Sequence, residues 1–131
     1  MKMNPVVHFE MPAKNKKRVA DFYTKAFGWQ MQQMGKDMGD YILATTTPVD
    51  QKTQRPKGPG AINGGFYPSG PYGTTPHVVI AVDDLAKHMQ IVKKAGGKIV
   101  DKPMDIPGVG KFVMFADTEG NHVGMLQPSR T

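Results

Sequence analysis

The sequence predicts an α+β fold built from two βαβββ modules, one in each half of the chain. Segments rich in β-branched residues surround two segments whose apolar residues recur with helical spacing, and the order β-α-β-β-β occurs twice. A shift of 69 residues also superimposes His8 on His77 and Gly28 on Gly97 (77 − 8 = 69; 97 − 28 = 69). Because each unit has a sheet face that it cannot bury alone, two such units form a natural stable whole.

Module 1, about residues 4–68, begins with a strand at Val6–Glu10, which Pro12 ends. Asn15 is expected to cap the helix that follows, and Gly28 is expected to end it. Further strands are predicted at Trp29–Met34, Tyr41–Thr46 and Ala61–Tyr67, with a turn at Gly35–Gly39 and a mobile surface loop at Thr47–Gly60.

Module 2, about residues 76–128, follows a linker at 68–76 and repeats the pattern. Its first strand is predicted at His77–Val82, and Asp83 is expected to cap its helix. The later elements are a short strand at Lys98–Val100, a loop at Pro103–Gly110, a strand at Lys111–Ala116, a hairpin turn at Asp117–Asn121 and a strand at His122–Gln127. Superimposing Pro68 on Pro128 sets Gly64 against Gly124 (128 − 68 = 60), with Gly65 as the alternative after a one-residue slip.

Length and composition limit the class of protein. The 131 residues suit a single domain, residues 1–131, and they contain no cysteine, which excludes disulfides and thiol chemistry and is compatible with a cytoplasmic location. No apolar run approaches the roughly 20 residues that span a bilayer, so no membrane association is expected. The net charge is +6, but the lysines are scattered and no aromatic residues are interleaved with them, so nucleic acid is not expected as a partner.

The segments "HFEMP…ADFYTKAFGW" and "FADTEGNHVGMLQP", on a repeated βαβββ plan, resemble the glyoxalase/bleomycin resistance protein/dioxygenase superfamily, also called vicinal oxygen chelate proteins. The resemblance covers residues 4 to 128. It implies a curled mixed sheet with an open cleft, a small organic ligand or substrate, and often a homodimer. Metal-using members take ligands from the first and last strands of each module, and glyoxalase I-like members use two histidines and two glutamates.

The resemblance places His8 and His77 at the two histidine positions of that metal site. The glutamate positions carry Gly64 (or Gly65) and Gly124 instead. Two neutral imidazoles hold a divalent cation poorly without a third protein ligand, so no cofactor and no metal residue are predicted. One alternative stays open, an atypical divalent metal site completed by Glu10, which shares a strand face with His8, and by His122.

Two functions compete. In the first, glycines leave room in the cleft for a bulky organic molecule, whose polar groups the histidines and Glu10 would hold while an aromatic side chain stacks on a flat part. In the second, the protein is a lyase (lactoylglutathione lyase-like), an isomerase or a dioxygenase, acting through an atypical metal or through acid–base chemistry of His8, Glu10 and His77. The predicted ligand-binding residues are His8, Glu10, Trp29, Tyr41, Gly64, His77, His122 and Gly124.

Overall fold

A computed structural model describes residues 2–70 and 73–129 of the chain. Within them the order βαβββ occurs twice, which confirms the α+β class and the two modules. The elements are β1 Val6–Ala13, α1 Lys16–Phe27, β2 Gln30–Gln33, β3 Ile42–Thr45, β4 Asn63–Pro68, β5 His77–Ala81, α2 Leu85–Lys94, β6 Lys98–Ile106, β7 Gly110–Ala116 and β8 His122–Pro128. A 3₁₀ turn, Lys36–Met38, lies where a turn is predicted. The predicted linker includes Pro71 and Tyr72, which lie outside the described residues.

Both modules have the same mixed strand order. In module 1 the order is β2-β3-β4-β1, with β1 parallel to β4 and the other pairs antiparallel. In module 2 the order is β6-β7-β8-β5, with β5 parallel to β8 and the other pairs antiparallel. The internal repeat therefore extends from the sequence to the pairing of the strands.

Helix α1 has the ends that its sequence predicts. The Asn15 side chain accepts a hydrogen bond from the backbone N–H of Arg18 at 2.9 Å, which satisfies one of the open donors of the first turn. At the other end Gly28 adopts φ +72°, a left-handed conformation in which a side chain would be strained. Its N–H donates to the carbonyl of Thr24 at 3.0 Å and so closes the last turn.

Helix α2 begins one residue later than expected. The capping side chain is that of Asp84, which accepts from the backbone N–H of Lys87 at 3.1 Å; Asp83 instead pairs with Lys2 at 2.9 Å. The prediction that Asp83 caps the helix is therefore wrong. The strand sets the start of the helix, because the N–H of Val82 still donates to the carbonyl of Leu126 in the last strand.

Strand β6 is longer than its sequence predicts. It extends into the loop expected at Pro103–Gly110 and ends at Ile106. Its pairing with β7 shifts register between Val100 and Met104, and Asp101, within this break, has φ +67°. Pro103 lies inside this strand. An edge strand tolerates proline, because one side of it needs no ladder hydrogen bond, and β6 is the outermost strand of module 2.

Each module has its own core beneath its helix. In module 1 the fully buried residues are Ile42, Ala44 and Phe66, against which Val19 and Tyr23 of α1 pack. In module 2 the buried set is Val82, Leu85, Val113 and Met125, and it is flanked by Met89 and Val92 of α2. One face of each sheet therefore forms the core with the helix.

The backbone contacts divide the chain at a point inside β1. Among the described residues, one compact unit consists of residues 8–70 and 73–76, and the other consists of residues 2–7 together with 77–129. The N-terminal residues, expected in module 1, contact module 2 instead: the carbonyl of Pro5 accepts from the N–H of Ala81 at 2.9 Å. No helix within residues 2–70 and 73–129 is long and apolar enough to cross a membrane.

Candidate functional site

The alternation of β1 places His8 and Glu10 on the same face of the module 1 sheet. In the parallel pairing with β4, His8 lies opposite Asn63 and Glu10 lies opposite Gly65. Phe9, between them, belongs instead to the core on the helix side. The face that bears His8 and Glu10 is therefore the one turned away from α1, and both side chains are half-buried there.

Tyr41, from the neighbouring part of the sheet, lies on the same face as His8 and Glu10. It precedes β3, in which Leu43 lies opposite Gly65, so Tyr41 and Leu43 point to the same face as Glu10. The Tyr41 hydroxyl lies 3.0 Å from His8 Nε2. Burial raises the pKa of the Tyr41 phenol well above its usual range, and the charge of Glu10 and a hydrogen bond to Glu10 raise it further. We call these three residues the His8–Tyr41–Glu10 group.

A second tyrosine, which sequence reasoning missed, lies close to the same carboxylate. Tyr67 is 7% exposed, and its hydroxyl donates to the carbonyl of Thr75 at 2.7 Å. Burial, and secondarily the charge of Glu10, raises the pKa of Tyr67. The signal was present in the spacing, because Tyr67 lies two residues after Gly65 and therefore on the same face of β4.

The strand registers identify the equivalent glycines of the two modules. Glu10 lies opposite Gly65, and Val79, which is 69 residues further along the chain, lies opposite Gly124. The counterpart of Gly124 is thus Gly65, the alternative to Gly64 that a one-residue slip in the superposition of the two halves gives. Gly64 lies opposite Phe9 and faces the helix side, so its predicted place beside His8 and Glu10 is wrong.

The space above these glycines is filled by aromatic rings. A Cβ built on Gly65 would meet the end of the Tyr41 ring at 2.1 Å, and one built on Gly124 would meet the Phe112 ring at 2.7 Å. A Cβ on Gly64 would meet the Phe9 ring at 2.5 Å. The expectation that these glycines leave room for a bulky ligand is therefore wrong, because each one makes room for a ring of the protein itself.

The corresponding face of module 2 has a different character. His77 begins β5 and is half-buried, while His122 begins β8 opposite Ala116 and is exposed. The position equivalent to Glu10 is Val79, which is 2% exposed. Between the histidine positions the face is apolar, and it includes Phe112, Met114 and Leu126. The carboxylate of Glu10 in module 1 therefore has no titratable counterpart at the equivalent position of module 2.

Trp29 lies in the core on the helix side of module 1. Its ring stacks on Tyr23 with centroids 4.7 Å apart and planes 12° from parallel, and it contacts Phe9 at 5.7 Å. The structure therefore brings Tyr41, but not Trp29, to the face of His8 and Glu10. A sequence pattern does not distinguish these two aromatic residues, because each stands next to the start of a strand.

The residues of the chain do not fit the metal site of glyoxalase I-like proteins. That site needs a carboxylate at each of two symmetric positions, and the positions here are Gly65 and Gly124, beneath the rings of Tyr41 and Phe112. Among residues 2–70 and 73–129, no three His, Asp or Glu side chains come together in a group that could hold a metal ion. Of the atypical set, His8 and Glu10 lie in one compact unit of the chain, and His77 and His122 lie in the other.

Comparison with known proteins places this architecture in context. The model of the Glyoxalase/Bleomycin resistance protein/Dioxygenase superfamily matches residues 6–125. Among solved structures, methylmalonyl-CoA epimerase from Mycobacterium tuberculosis has a TM-score of 0.67 at 12% identity over 95% of this chain and 88% of that one. A hypothetical protein from Bacillus halodurans has a TM-score of 0.67 at 12% identity over 99% and 98%. At such low identity these likenesses show the fold alone.

Two curated proteins are more similar in sequence. The anthracycline biosynthesis protein DnrV of Streptomyces peucetius is 32% identical over 112 residues, which are 77% of this chain and 38% of DnrV. A glyoxylase-like domain-containing protein of Didymella fabae is 32% identical over 130 residues, 92% of each chain. The chain thus spans well under half of DnrV and nearly all of the fungal protein.

Proposed function

Because the chain belongs to the Glyoxalase/Bleomycin resistance protein/Dioxygenase superfamily, we propose that it binds a small organic molecule on the sheet face that carries the His8–Tyr41–Glu10 group. The observation that supports this is the 3.0 Å contact between His8 Nε2 and the Tyr41 hydroxyl, next to a carboxylate. An imidazole, a phenol and a carboxylate together supply hydrogen-bond donors and acceptors on one side of a sheet. Ligand sites typically combine a few such polar groups with apolar walls.

The proposed ligand class is an aromatic compound with hydroxyl or carbonyl substituents. Substituents of this kind match the hydrogen-bonding capacity of His8 and Glu10, and the rings of Tyr41 and Tyr67 lie on the same face. The similarity to DnrV, whose name assigns it to anthracycline biosynthesis, agrees with this class, because anthracyclines are polycyclic aromatic quinones bearing hydroxyl groups.

Binding is proposed to occur without the two-histidine, two-glutamate metal site. Support comes from the side chains themselves: glycine supplies no ligand atom, and the space for a longer side chain at positions 65 and 124 is taken by Tyr41 and Phe112. The polar contacts to the ligand would then come from protein groups alone.

A thermal-shift screen tests the binding proposal, because a ligand that binds only the folded state stabilises it by about 2.7 kcal/mol at a hundredfold excess over Kd. The probes are daunorubicin, simple hydroxyquinones and bleomycin. The shift is expected to fall strongly in His8→Ala and Glu10→Gln. His122→Ala is the matched control, because His122 is an exposed strand histidine outside the group. Equal shifts in all three variants would place the ligand elsewhere, and no shift with any probe would contradict the ligand class.

Acid–base catalysis is the second candidate function, and the connection of His8 to Glu10 through Tyr41 favours it. The reaction class proposed is proton abstraction next to a carbonyl, as a lyase or an isomerase would perform it. The test is to incubate a bound carbonyl compound in D₂O and to follow exchange at the carbon next to the carbonyl by NMR. Exchange that is lost in Glu10→Gln supports catalysis, and exchange no faster than in buffer leaves binding as the function.

A homodimer is proposed through the exposed aromatic surface of α1. Phe22 and Phe27 are 56% and 63% exposed, and their rings lie 6.3 Å apart in an edge-to-face arrangement. Adjacent exposed aromatic residues are typical of protein contact surfaces. Light scattering coupled to size exclusion should give a dimer mass that Phe27→Ser lowers and Val109→Ser, at an exposed apolar residue of module 2, does not. A monomeric parent protein would contradict this proposal.

A cytoplasmic location is proposed from the composition. The chain has no cysteine and thus no disulfide that an oxidising compartment would favour. Fractionation of producing cells, with the protein detected by antibody, tests the proposal. Recovery of the protein from the medium or from the membrane pellet would contradict it.

A further inference from the structure

We propose that Asn63 is a ligand-binding residue, whose side-chain NH₂ group donates a hydrogen bond to a carbonyl or carboxylate oxygen of the ligand. The inference rests on the proposed function, because it concerns the same sheet face, and it adds the kind of atom that the ligand presents there. Asn63 is the first residue of β4 and lies opposite His8 in the parallel pairing with β1. Paired residues project from the same face of a sheet, so Asn63 belongs to the face of the His8–Tyr41–Glu10 group.

The oxygen of the Asn63 amide is already committed within the protein. Its Oδ1 atom accepts from the backbone N–H of Thr46 at 2.7 Å and from that of Thr47 at 3.1 Å. A carbonyl oxygen has two lone pairs, and these two hydrogen bonds use both. The Thr46 hydroxyl also lies 3.3 Å from Oδ1, but its single proton has a shorter contact, 2.7 Å, to the carbonyl of Ile62. The oxygen therefore has no acceptor capacity left for a ligand.

These contacts also determine which way round the amide lies. The oxygen and nitrogen of an asparagine side chain are alike in shape, so they are assigned from their hydrogen-bond partners. Backbone N–H groups can only donate, and the atom that faces those of Thr46 and Thr47 is therefore the oxygen. The reversed amide would leave both backbone donors without an acceptor, which is costly. The nitrogen is thus turned away from the end of β3.

The amide nitrogen, in contrast, is available to a ligand. Within residues 2–70 and 73–129, the hydrogen bonds of the Asn63 side chain all involve Oδ1. No fully buried side-chain nitrogen or oxygen in this part of the chain lacks a hydrogen-bond partner. Because Asn63 is half-buried, its Nδ2 atom therefore reaches the surface. Oriented polar groups of this kind are what ligand sites use to fix the pose of a bound molecule.

The connection between β3 and β4 holds the amide in place. The backbone pairing of the two strands extends to Ala44 and Gly64, and beyond it the Asn63 side chain bridges them instead. The hydrogen bond from the Thr46 hydroxyl to the Ile62 carbonyl closes the base of the same loop. A donor that is fixed before binding spares the complex the entropy cost of ordering it.

The consequence is a requirement on the ligand. An amide NH₂ group donates and does not accept, so the ligand has to place an acceptor beside Asn63. A quinone or ketone carbonyl and a carboxylate meet this requirement, whereas an ammonium group, which only donates, does not. Within the proposed class of aromatic compounds, the inference therefore selects those that carry a carbonyl oxygen.

Asn63→Asp separates the two roles of the side chain. An aspartate keeps an oxygen for Thr46 and Thr47 but replaces the NH₂ donor by a second oxygen, which repels a ligand carbonyl. The affinity for the neutral hydroxyquinone juglone, measured by calorimetry, should fall about tenfold, the usual effect of leaving a polar group unpaired. Asn15→Asp is the matched control. Asn15 also accepts from a backbone N–H, that of Arg18, but it caps α1, so the affinity should not change.

Hydrogen exchange in the ligand-free protein tests the orientation of the amide separately. In Asn63→Ala the backbone N–H groups of Thr46 and Thr47 lose their acceptor, so their exchange with solvent should become faster. In Asn63→Asp both should stay protected. Equal protection in the parent protein and in Asn63→Ala would show that Oδ1 does not hold these groups, and it would overturn the inference.

NMR of the parent protein with juglone supplies a test that needs no variant. At saturation the side-chain NH₂ signals of Asn63, assigned through the backbone, should shift. Those of Asn121, which donates to Asp117 at 2.9 Å, should not. Unmoved Asn63 signals, or equal affinities of the parent protein and Asn63→Asp, would overturn the inference and leave the proposed function intact. If neither juglone nor the other probes bind the parent protein, the ligand class is wrong, and this inference fails with it.

Discussion

The ring of Tyr41 occupies the space that any side chain at Gly65 would need, since a Cβ built there would lie 2.1 Å from its Cζ and hydroxyl oxygen. Gly65 in β4 and Tyr41, which directly precedes the neighbouring strand β3, therefore form a matched pair. A change at either member should affect both the stability of module 1 and the geometry of the His8–Tyr41–Glu10 group.

Gly65→Ala should lower the free energy of unfolding by about 1–3 kcal/mol, the usual cost of adding atoms to a filled space. In Gly58→Ala the added Cβ has nothing within 4 Å, so this loop variant should have little effect. Urea unfolding measures both. In a Tyr41→Ala background Gly65→Ala should lower the free energy of unfolding by less, because the ring that the added Cβ would meet is absent. An equal cost with and without the ring would contradict the matched pair.

Protein prepared without a histidine tag or chelators should contain far less than one divalent metal ion per chain. The reason is the donor set, since positions 65 and 124 supply no carboxylate. Elemental analysis by mass spectrometry gives the ratio. About one ion per chain in the parent protein, lost in the His8→Ala/His77→Ala double variant, would show that an atypical site exists after all.

Asp84→Ala should destabilise the protein by about 1 kcal/mol, through loss of the cap on α2. Asp83→Ala should cost less, because its exposed pair with Lys2 belongs to a class worth about 0–1 kcal/mol. Repeating the urea unfolding in about 1 M salt further distinguishes the two variants, since salt screens the ion pair of Asp83 far more than the capping hydrogen bond of Asp84. A larger loss in Asp83→Ala than in Asp84→Ala, or a salt-sensitive loss in Asp84→Ala, would contradict the assigned cap.

Stability should fall as pH rises above about 10, and Tyr41 should contribute to the fall. Its folded-state pKa is raised, by burial first and by Glu10 second, so the folded protein keeps a proton that the unfolded chain releases. The stabilisation is thus complete below the unfolded pKa and is lost as pH increases, by up to about 1.4 kcal/mol per pH unit. Urea unfolding between pH 9 and 11 should show a shallower decline for Tyr41→Phe. Equal slopes would contradict the raised pKa.

The fold was predictable because its signals are local and repeated. Asn15 and Gly28 mark the ends of α1 by their own chemistry, and the 69-residue shift fixes the order of the second half. The predictions of the cap of α2 and of the length of β6 were wrong because both features depend on a neighbouring strand. Asp83 and Asp84 have equal capping chemistry, and the hydrogen bond of Val82 to β8 determines which of them is used. Pro103 indicates a loop unless β6 is known to be an edge strand.

The candidate site was predictable in part. Strand alternation alone places His8 and Glu10 on one face, as the structure has them. The glycines were misread because a missing side chain in a sequence does not show what fills its space. The register pairs Gly65 with Leu43 and Gly124 with Met114, and the rings of Tyr41 and Phe112, each two residues away on the same strand face, cover these glycines.

Similar halves have thus acquired dissimilar chemistry. In module 1 the ring that covers the glycine is a tyrosine, which has a hydroxyl group and lies next to Glu10. In module 2 the ring is a phenylalanine, and the residue equivalent to Glu10 is Val79. An artificial gene encoding module 2 twice would encode the same strand order, yet its product would lack the only carboxylate of this arrangement. A chimera that takes only the second half of this chain would therefore lack the His8–Tyr41–Glu10 group.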